Sequence, residues 1–207
     1  MPDRYKTILL FGAPGAGKGT QGKILGQIPG FFHLACGDVF RSLDTTSELG
    51  QEFLKFSSKG ELVPDSLTVE MWRQNMKAQT TLSHFKPNVD LLVLDGIPRS
   101  TPQAEALEKY VDVLCVIHLV CSDVTRMIER MKRRAIKENR LDDADESVIR
   151  KRFDVYNSET SPVLNHYSPD IVHEVDAVGS PASVLQHVLE VLVTVQDHHF
   201  RNPLSGK

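Results

Sequence analysis

The chain has 207 residues, of which 41% are apolar and 25% charged, and its mass is 23.2 kDa. These values suit a globular protein with one well-buried core. The net charge of −3 argues against a general nucleic-acid binder, which needs a basic excess to collect phosphates along a strand. No apolar run approaches the ~18 residues that a membrane span requires.

The cysteines and the N-terminal residues bear on where the protein works. Cys36, Cys115 and Cys121 form no C-x-x-C pair and cannot assemble a four-thiolate zinc site. Residues 1–6 lack the long apolar stretch of a secretion signal. We therefore expect a cytoplasmic protein with reduced thiols, no structural zinc, no membrane segment and no nucleic-acid partner.

A glycine-rich turn follows the first apolar run, residues 7–11, which predicts a buried strand. A helix is predicted to begin near Lys18. Glycines let the backbone bend around an anion with its N–H groups pointing inward, and the helix adds the positive end of its dipole. Lys18 can then reach the outer phosphates of a polyphosphate. The predicted loop residues are Gly12, Ala13, Pro14, Gly15, Ala16, Gly17, Lys18, Gly19 and Thr20.

The position of the loop hydroxyl bears on the metal. In the commonest loop of this kind a Ser or Thr directly after the lysine binds Mg²⁺, but here Gly19 intervenes and the hydroxyl belongs to Thr20. One residue rotates a side chain by about 100° around a helix of period 3.6. We therefore expect Mg²⁺ to be held mainly by nucleotide oxygens and water, with no direct protein ligand.

Strands and helices alternate along the rest of the chain, which predicts a parallel sheet covered on both faces. The predicted strands are residues 31–35, 91–94, 113–120 and 171–175. The predicted helices are residues 47–59, 65–79, 102–110, 123–134 and 181–195, one from about residue 145 to beyond residue 160, and a short one from about residue 36. Residues 134–143 show no apolar periodicity and are predicted to be an irregular, mobile excursion, and residues 197–207 a frayed tail.

Arginines recur at predicted loops and helix ends around the carboxyl edge of the sheet: Arg41, Arg99, Arg130, Arg134, Arg140 and Arg152. Open α/β sheets bind ligands at that edge, and forked guanidinium groups match phosphate oxygens in pairs. Phosphoryl transfer needs alignment and positive charge more than covalent help. The set therefore points to phosphoryl transfer. An RNA-binding patch at residues 130–134 is disfavoured because no aromatic residues interleave the charges.

Several further motifs give the chain a resemblance to the adenylate kinases, of the nucleoside monophosphate kinase family, over residues 8–193, and its short predicted lid without cysteines resembles that of the short-lid members. Besides the loop they are H-L-A-C-G-D-V-F-R at residues 33–41, G-E-L-V-P-D at 60–65, D-G-I-P-R at 95–99, R-L-D-D at 140–143 and R-K-R-F-D-V-Y at 150–156. The resemblance implies a three-layer P-loop fold of the nucleoside triphosphate hydrolase type with a parallel five-stranded sheet. It further implies one domain over residues 1–207, with a helical lobe at about 42–79 for the monophosphate and a short lid at about 134–143.

The resemblance also implies a monomeric enzyme that converts Mg·ATP and AMP into two ADP. ATP would lie on the loop with Arg130, Arg134 and Gly179. The implied AMP-binding residues are Cys36, Arg41, Glu61, Leu62, Val63, Gly96, Arg99, Gln103, Arg140 and Arg152. Catalytic roles would fall to Lys18, Asp95, Arg99, Arg130, Arg134, Arg140 and Arg152, with Asp95 holding water on Mg²⁺.

The acceptor base and the enzymatic role leave alternatives open. Gln103 matches the family glutamine that pairs with the edge of adenine, where kinases for UMP or CMP usually carry asparagine; otherwise Gln103 would be an exposed helix residue. Cys36 stands where adenylate kinases usually have threonine, which favours looser base selectivity. The alternatives are a UMP/CMP kinase with the same mechanism and a nucleotide-binding module without catalysis.

Overall fold

The structure, a computed structural model, describes residues 4–138 and 145–199. A five-stranded parallel sheet forms its centre, with the strands in the order β2-β3-β1-β4-β5. The strands are β1 (Tyr5–Gly12), β2 (Phe31–Ala35), β3 (Leu91–Asp95), β4 (Val111–Val120) and β5 (Val172–Asp176). The predicted strand bounds agree with these to within two residues, and the predicted α/β fold class is confirmed.

Helices cover both faces of the sheet. They are α1 (Lys18–Leu25), α2 (Cys36–Arg41), α3 (Glu48–Ser57), α4 (Asp65–Thr81), α5 (Thr101–Leu107), α6 (Val124–Glu138), α7 (Glu146–Val155) and α8 (Pro181–His199). A π-helical turn (Tyr156–Thr160) and a 3-10 segment (Ser161–His166) follow α7. None of the helices within residues 4–138 and 145–199 combines the length and the apolar character needed to cross a membrane.

Alternation along β1 divides the core into two layers. Ile8 and Leu10 pack with side chains from α1, α6, α7 and α8, whereas Leu9 and Phe11 pack with side chains from α2, α4 and α5 on the other face. Successive strand residues point to opposite faces, so a strand that is apolar throughout must be covered on both sides. The continuous apolar runs of β1, β3 and β4 therefore account for the three-layer arrangement.

Two predicted segments are more helical than the sequence pattern indicated. Helix α6 continues to Glu138, so the prediction of an irregular excursion is wrong for residues 134–138; residues 139–143 lie outside the described residues. Arg, Ala, Lys and Glu are strong helix formers, and a helix needs no apolar face where it lines a polar cleft. Helix α8 runs to His199, so residues 197–199 are helical rather than a frayed tail.

The topology brings two loops together at one edge of the sheet. Strand β1 leads through α1 to β2, and β3 leads through α5 to β4, so the two connections run in opposite directions across the sheet. Right-handed crossovers then place α1 and α5 on opposite faces and leave a crevice at the carboxyl ends of β1 and β3. The glycine-rich loop and residues 96–99 both leave from this crevice.

Candidate active site

Two glycines of the glycine-rich loop have different surroundings, because one is packed against β4 and the other faces open space. Gly12 has a φ of +147°, and a Cβ there would stand 2.7 Å from the carbonyl oxygen of Leu119. Gly17 has a φ of +103° directly before α1, and nothing lies within 4 Å of where its Cβ would be. The first glycine therefore lets the loop approach β4, and the second leaves open space at the helix N-terminus for a ligand.

Lys18 lies across the loop. Its Nζ donates hydrogen bonds to the carbonyl oxygens of Gly12 and Ala13, the latter at 3.2 Å. Burial lowers the pKa of this ammonium to about 8, and the nearby Asp95 carboxylate opposes that shift. The side chain is therefore mostly protonated at pH 7, but its pKa is close enough to neutral pH that a bound anion changes its protonation.

Asp95 ends β3 beside the loop. It pairs with Leu10 in the register of β1 and β3, and its side chain is buried. A Cβ on Gly19 would stand 3.6 Å from Asp95 Oδ2, so the carboxylate faces the first turn of α1. Oxygen donors of this kind suit Mg²⁺ and its bound water. No group of three or more His, Cys, Asp or Glu side chains that could hold a metal occurs in the described part of the chain.

A cavity of about 550 Å³ opens above the loop. Most of the residues that the sequence assigns to ATP line it: Pro14, Gly15, Ala16, Gly17, Lys18, Gly19, Thr20, Arg130, Arg134 and Gly179. Ala13 does not, and Gly12 lines the neighbouring cavity instead. Basic side chains dominate the charge of the lining, which suits a polyphosphate.

One face of α6 supplies much of that charge. Arg130, Arg133, Arg134 and Lys137 all line the large cavity, at the spacing i, i+3, i+4 and i+7. Such residues share one side of a helix. Arg133 and Lys137 are additions to the predicted site, and the spacing of the four residues is the signal that could have found them. Arg130 Nη1 also donates to Ala177 O at 3.4 Å, across to the segment after β5.

A second cavity of about 120 Å³ adjoins the first. The predicted AMP-binding residues that line it are Cys36, Arg41, Glu61, Leu62, Val63, Gly96, Arg99, Gln103 and Arg152. Arg140 is the exception, because it lies outside the described residues. Phe40 and Phe53 also line this cavity, their rings stacked with centroids 5.0 Å apart. The motifs gave no reason to single out this aromatic pair.

The two cavities meet at shared cationic side chains. Lys18, Arg41, Arg99 and Arg152 line both of them. Arg99 is held by a hydrogen bond from its Nε to Gly96 O at 2.9 Å, and Arg41 pairs with Asp38 at 2.7 Å. Fixed positive charge thus stands where ligands in the two cavities would approach one another.

The burial and the side-chain hydrogen bonds of Gln103 decide whether it is an exposed helix residue. Gln103 is 1% exposed, so the interpretation of this residue as an exposed helix position is wrong. Its Oε1 accepts a hydrogen bond from Arg99 N at 2.8 Å, which links the start of α5 to residues 96–99. Thr160 Oγ1 donates to Arg99 O at 2.9 Å, so the π-helical turn also holds the backbone of Arg99.

Cys36 and His118 are both accounted for by their surroundings. Burial raises the pKa of the Cys36 thiol to about 12, so it lines the second cavity as a neutral, weakly polar group. His118 contacts Tyr156 Oη at 3.1 Å and Glu174 across the β4–β5 pair, which gives it the local partners expected of a structural histidine.

Comparisons with known proteins agree with this geometry. Residues 10–172 match the family model described as adenylate kinase. The adenylate kinase of Rhodococcus erythropolis is 38% identical, with 89% of this chain and 98% of the relative covered. The adenylate kinases of Kocuria rhizophila and Flavobacterium psychrophilum are 36% and 33% identical, each match covering 89% of this chain and 97% of the relative. The chain therefore belongs to the adenylate kinase family.

Proposed function

We propose that the protein catalyses reversible phosphoryl transfer from Mg·ATP to AMP, giving two ADP. As a member of this family the chain is a phosphotransferase. The observation that supports the reaction most directly is the pair of adjoining cavities joined by Lys18, Arg41, Arg99 and Arg152. Two nucleotides bound end to end would bring their phosphates together at these charges.

In this proposal the large cavity takes ATP and the small one AMP. The loop N–H groups and Lys18 bind the β- and γ-phosphates, and the basic face of α6 extends the charge over the triphosphate. Arg41 and Arg99 bind the AMP phosphate, and the stacked rings of Phe40 and Phe53 form an apolar wall beside the base. Arg140, in the proposed lid, would add positive charge beside the phosphoryl group that is transferred.

The chemistry requires no general base from the protein. A phosphate oxygen of AMP attacks the γ-phosphorus while the bond between that phosphorus and the β–γ bridging oxygen breaks, so ATP leaves as ADP and AMP becomes ADP. With a second pKa of about 6, the attacking phosphate is already mostly dianionic at pH 7. The arginines and Lys18 stabilise the charge of the transferring group by their fixed positions.

Mg²⁺ would be held by phosphate oxygens and water, with Asp95 accepting hydrogen bonds from that water. The buried carboxylate faces the first turn of α1, next to the loop that would carry the phosphates. When bound, the ion would neutralise charge that develops on the phosphate oxygens.

We further propose the lobe at residues 42–79, the lid at 134–143, a monomeric state and a cytoplasmic location. Helices α3 and α4 follow β2 and precede β3 in the chain, and they contribute Phe53 and Thr68 to the lining of the small cavity. A lid that closes with both nucleotides bound would exclude water, the competing nucleophile.

Initial rates of ADP formation test this function. The enzyme is assayed with ATP and AMP, and in parallel with CMP and UMP as acceptors. AMP is expected to give the highest kcat/KM. A clear preference for UMP or CMP would instead establish the pyrimidine kinase alternative, and no transfer to any of the three would refute the proposal.

Arg99→Ala tests the alternative of nucleotide binding without catalysis. Loss of a fixed arginine beside the transferring group is expected to lower kcat by about 10³-fold, a typical cost for one transition-state charge donor, while ATP affinity stays within about twofold. Arg126→Ala is the matched control, because Arg126 is an exposed arginine of α6 that lines neither cavity. Unchanged turnover in Arg99→Ala would contradict the assigned role.

A further inference from the structure

The side-chain amide of Gln103 is held at both ends. Its Oε1 accepts from Arg99 N at 2.8 Å, and its Nε2 donates to Asp65 Oδ1 at 2.7 Å. The residue is 1% exposed, yet it lines the small cavity. Each end of the amide still has capacity for one more hydrogen bond, since the oxygen has a second lone pair and the nitrogen a second hydrogen.

These two partners fix which end of the amide is which. A backbone N–H can only donate and an ionised carboxylate can only accept. If the amide of Gln103 turned over, its NH₂ would face the N–H of Arg99 and its oxygen would face the carboxylate of Asp65. Both hydrogen bonds would be lost inside a buried site, where unpaired polar groups are costly.

The carboxylate of Asp65 is itself held in place by a second hydrogen bond. Its Oδ1 also accepts a hydrogen bond from Ser100 Oγ at 2.8 Å. Ser100 is the N-cap of α5 and accepts from Gln103 N at 3.3 Å, while Asp65 is the first residue of α4. One carboxylate oxygen thus joins the start of α4 to the cap and the amide of α5.

We propose that Asp65 is a positioning residue that fixes the donor and acceptor order of the Gln103 amide and so selects 6-aminopurine over 6-oxopurine monophosphates. The inference rests on the proposed function and on Gln103 meeting the base in the small cavity. Adenine offers a donor at N6 and an acceptor at N1, which match the free capacity of Oε1 and Nε2. Hypoxanthine offers an acceptor at O6 and a donor at N1, the reverse order.

Asp65→Asn tests the assignment with almost no change of shape. An asparagine amide can present either a donor or an acceptor, so a turned Gln103 would lose one internal hydrogen bond instead of two. The ratio of kcat/KM for AMP to that for IMP is expected to fall about tenfold, through KM, with kcat at saturating AMP within about twofold of the wild type. Glu48→Gln is the control, because it removes one acidic charge from the first turn of α3.

Calorimetric titration of the protein with AMP and with IMP, without ATP, gives a readout independent of turnover. The ratio of the two dissociation constants is expected to fall about tenfold in Asp65→Asn and to stay unchanged in Glu48→Gln. Asp65→Ala, which leaves the Nε2 of Gln103 without its acceptor, should shift the ratio in the same direction. Thermal midpoints identify any variant that fails to fold.

Two outcomes separate this inference from the proposed function. If both Asp65 variants fold and affinity for AMP and IMP falls in equal proportion, Asp65 is only a structural link between α4 and α5, and the inference is overturned. If the wild-type protein binds AMP but transfers no phosphoryl group to it, the proposed function fails, and the ratio of dissociation constants still decides the role of Asp65.

Discussion

Raising the pH from 7 to 9 should weaken ATP binding about tenfold, because Lys18 loses its proton within this range. Burial lowers the pKa of Lys18 to about 8 in the free protein. The ammonium is then about nine-tenths protonated at pH 7 and about one-tenth protonated at pH 9. A bound polyphosphate favours the protonated form, so the affinity should follow the protonated fraction of the free protein.

Calorimetric titration with Mg·ATP at pH 7, 8 and 9 measures this change. At pH 8 about half of the free protein carries a neutral Lys18, so binding should take up about half a proton per ATP; titrations in buffers of different ionisation enthalpy detect that uptake. Lys18→Arg is the matched variant, because a guanidinium stays protonated throughout this range. Ionisation of the nucleotide itself affects both proteins equally.

The difference in pH dependence between the wild type and Lys18→Arg tests whether Lys18 is the titrating group. The wild type should lose about ten times more affinity between pH 7 and 9 than Lys18→Arg, whatever the absolute affinity of the variant. An ATP affinity that is constant from pH 7 to 9 in the wild type, or that falls equally in both proteins, would refute the assignment of Lys18 as a titrating phosphate ligand.

The other predictions concern the same loop. Gly12→Ala should cost about 2–4 kcal/mol of unfolding free energy, from backbone strain and the approach to Leu119 O, whereas Gly17→Ala should cost only about 1–2 kcal/mol of strain; equal losses in urea denaturation would contradict this. The pKa of Lys18 is lower in the folded protein than in the unfolded chain, so between pH 8 and 10.5 the unfolded chain binds more protons and stability rises with pH. Relative to Lys18→Met, the wild type should therefore gain up to about 3 kcal/mol over that range, and parallel denaturation curves with no relative gain would argue against a lowered pKa.

Local signals predicted the strands well. The bounds of β2, residues 31–35, coincide with the prediction, because a Pro-Gly break precedes the strand and a short helix follows it directly. The start of α6 also has a local cause: Asp123 Oδ1 accepts from Arg126 N at 2.9 Å, at the residue where the predicted helix begins. Such features depend on neighbours in the chain, which the sequence displays directly.

The basic face of α6 could not be predicted from apolar periodicity. Apolar periodicity identifies helices that bury a face in a core, and residues 134–138 have none. The helix continues through strong helix formers and lines one wall of a charged cleft, and the elements opposite it, the loop and the segment after β5, are far away in the chain. Arg133 and Lys137 were missed for this reason.

By itself, the sequence determined the fold class and the phosphate loop, because each rests on a short motif or on strand and helix periodicity, and its resemblance to the adenylate kinases implied many of the residues around the two cavities. Only the tertiary structure decided that Lys18, Arg41, Arg99 and Arg152 stand between two adjoining cavities, and that Asp65 holds the amide of Gln103. These relations join residues up to 134 positions apart, from Lys18 to Arg152. Their distances follow from strand order and crossover direction, which no local pattern specifies.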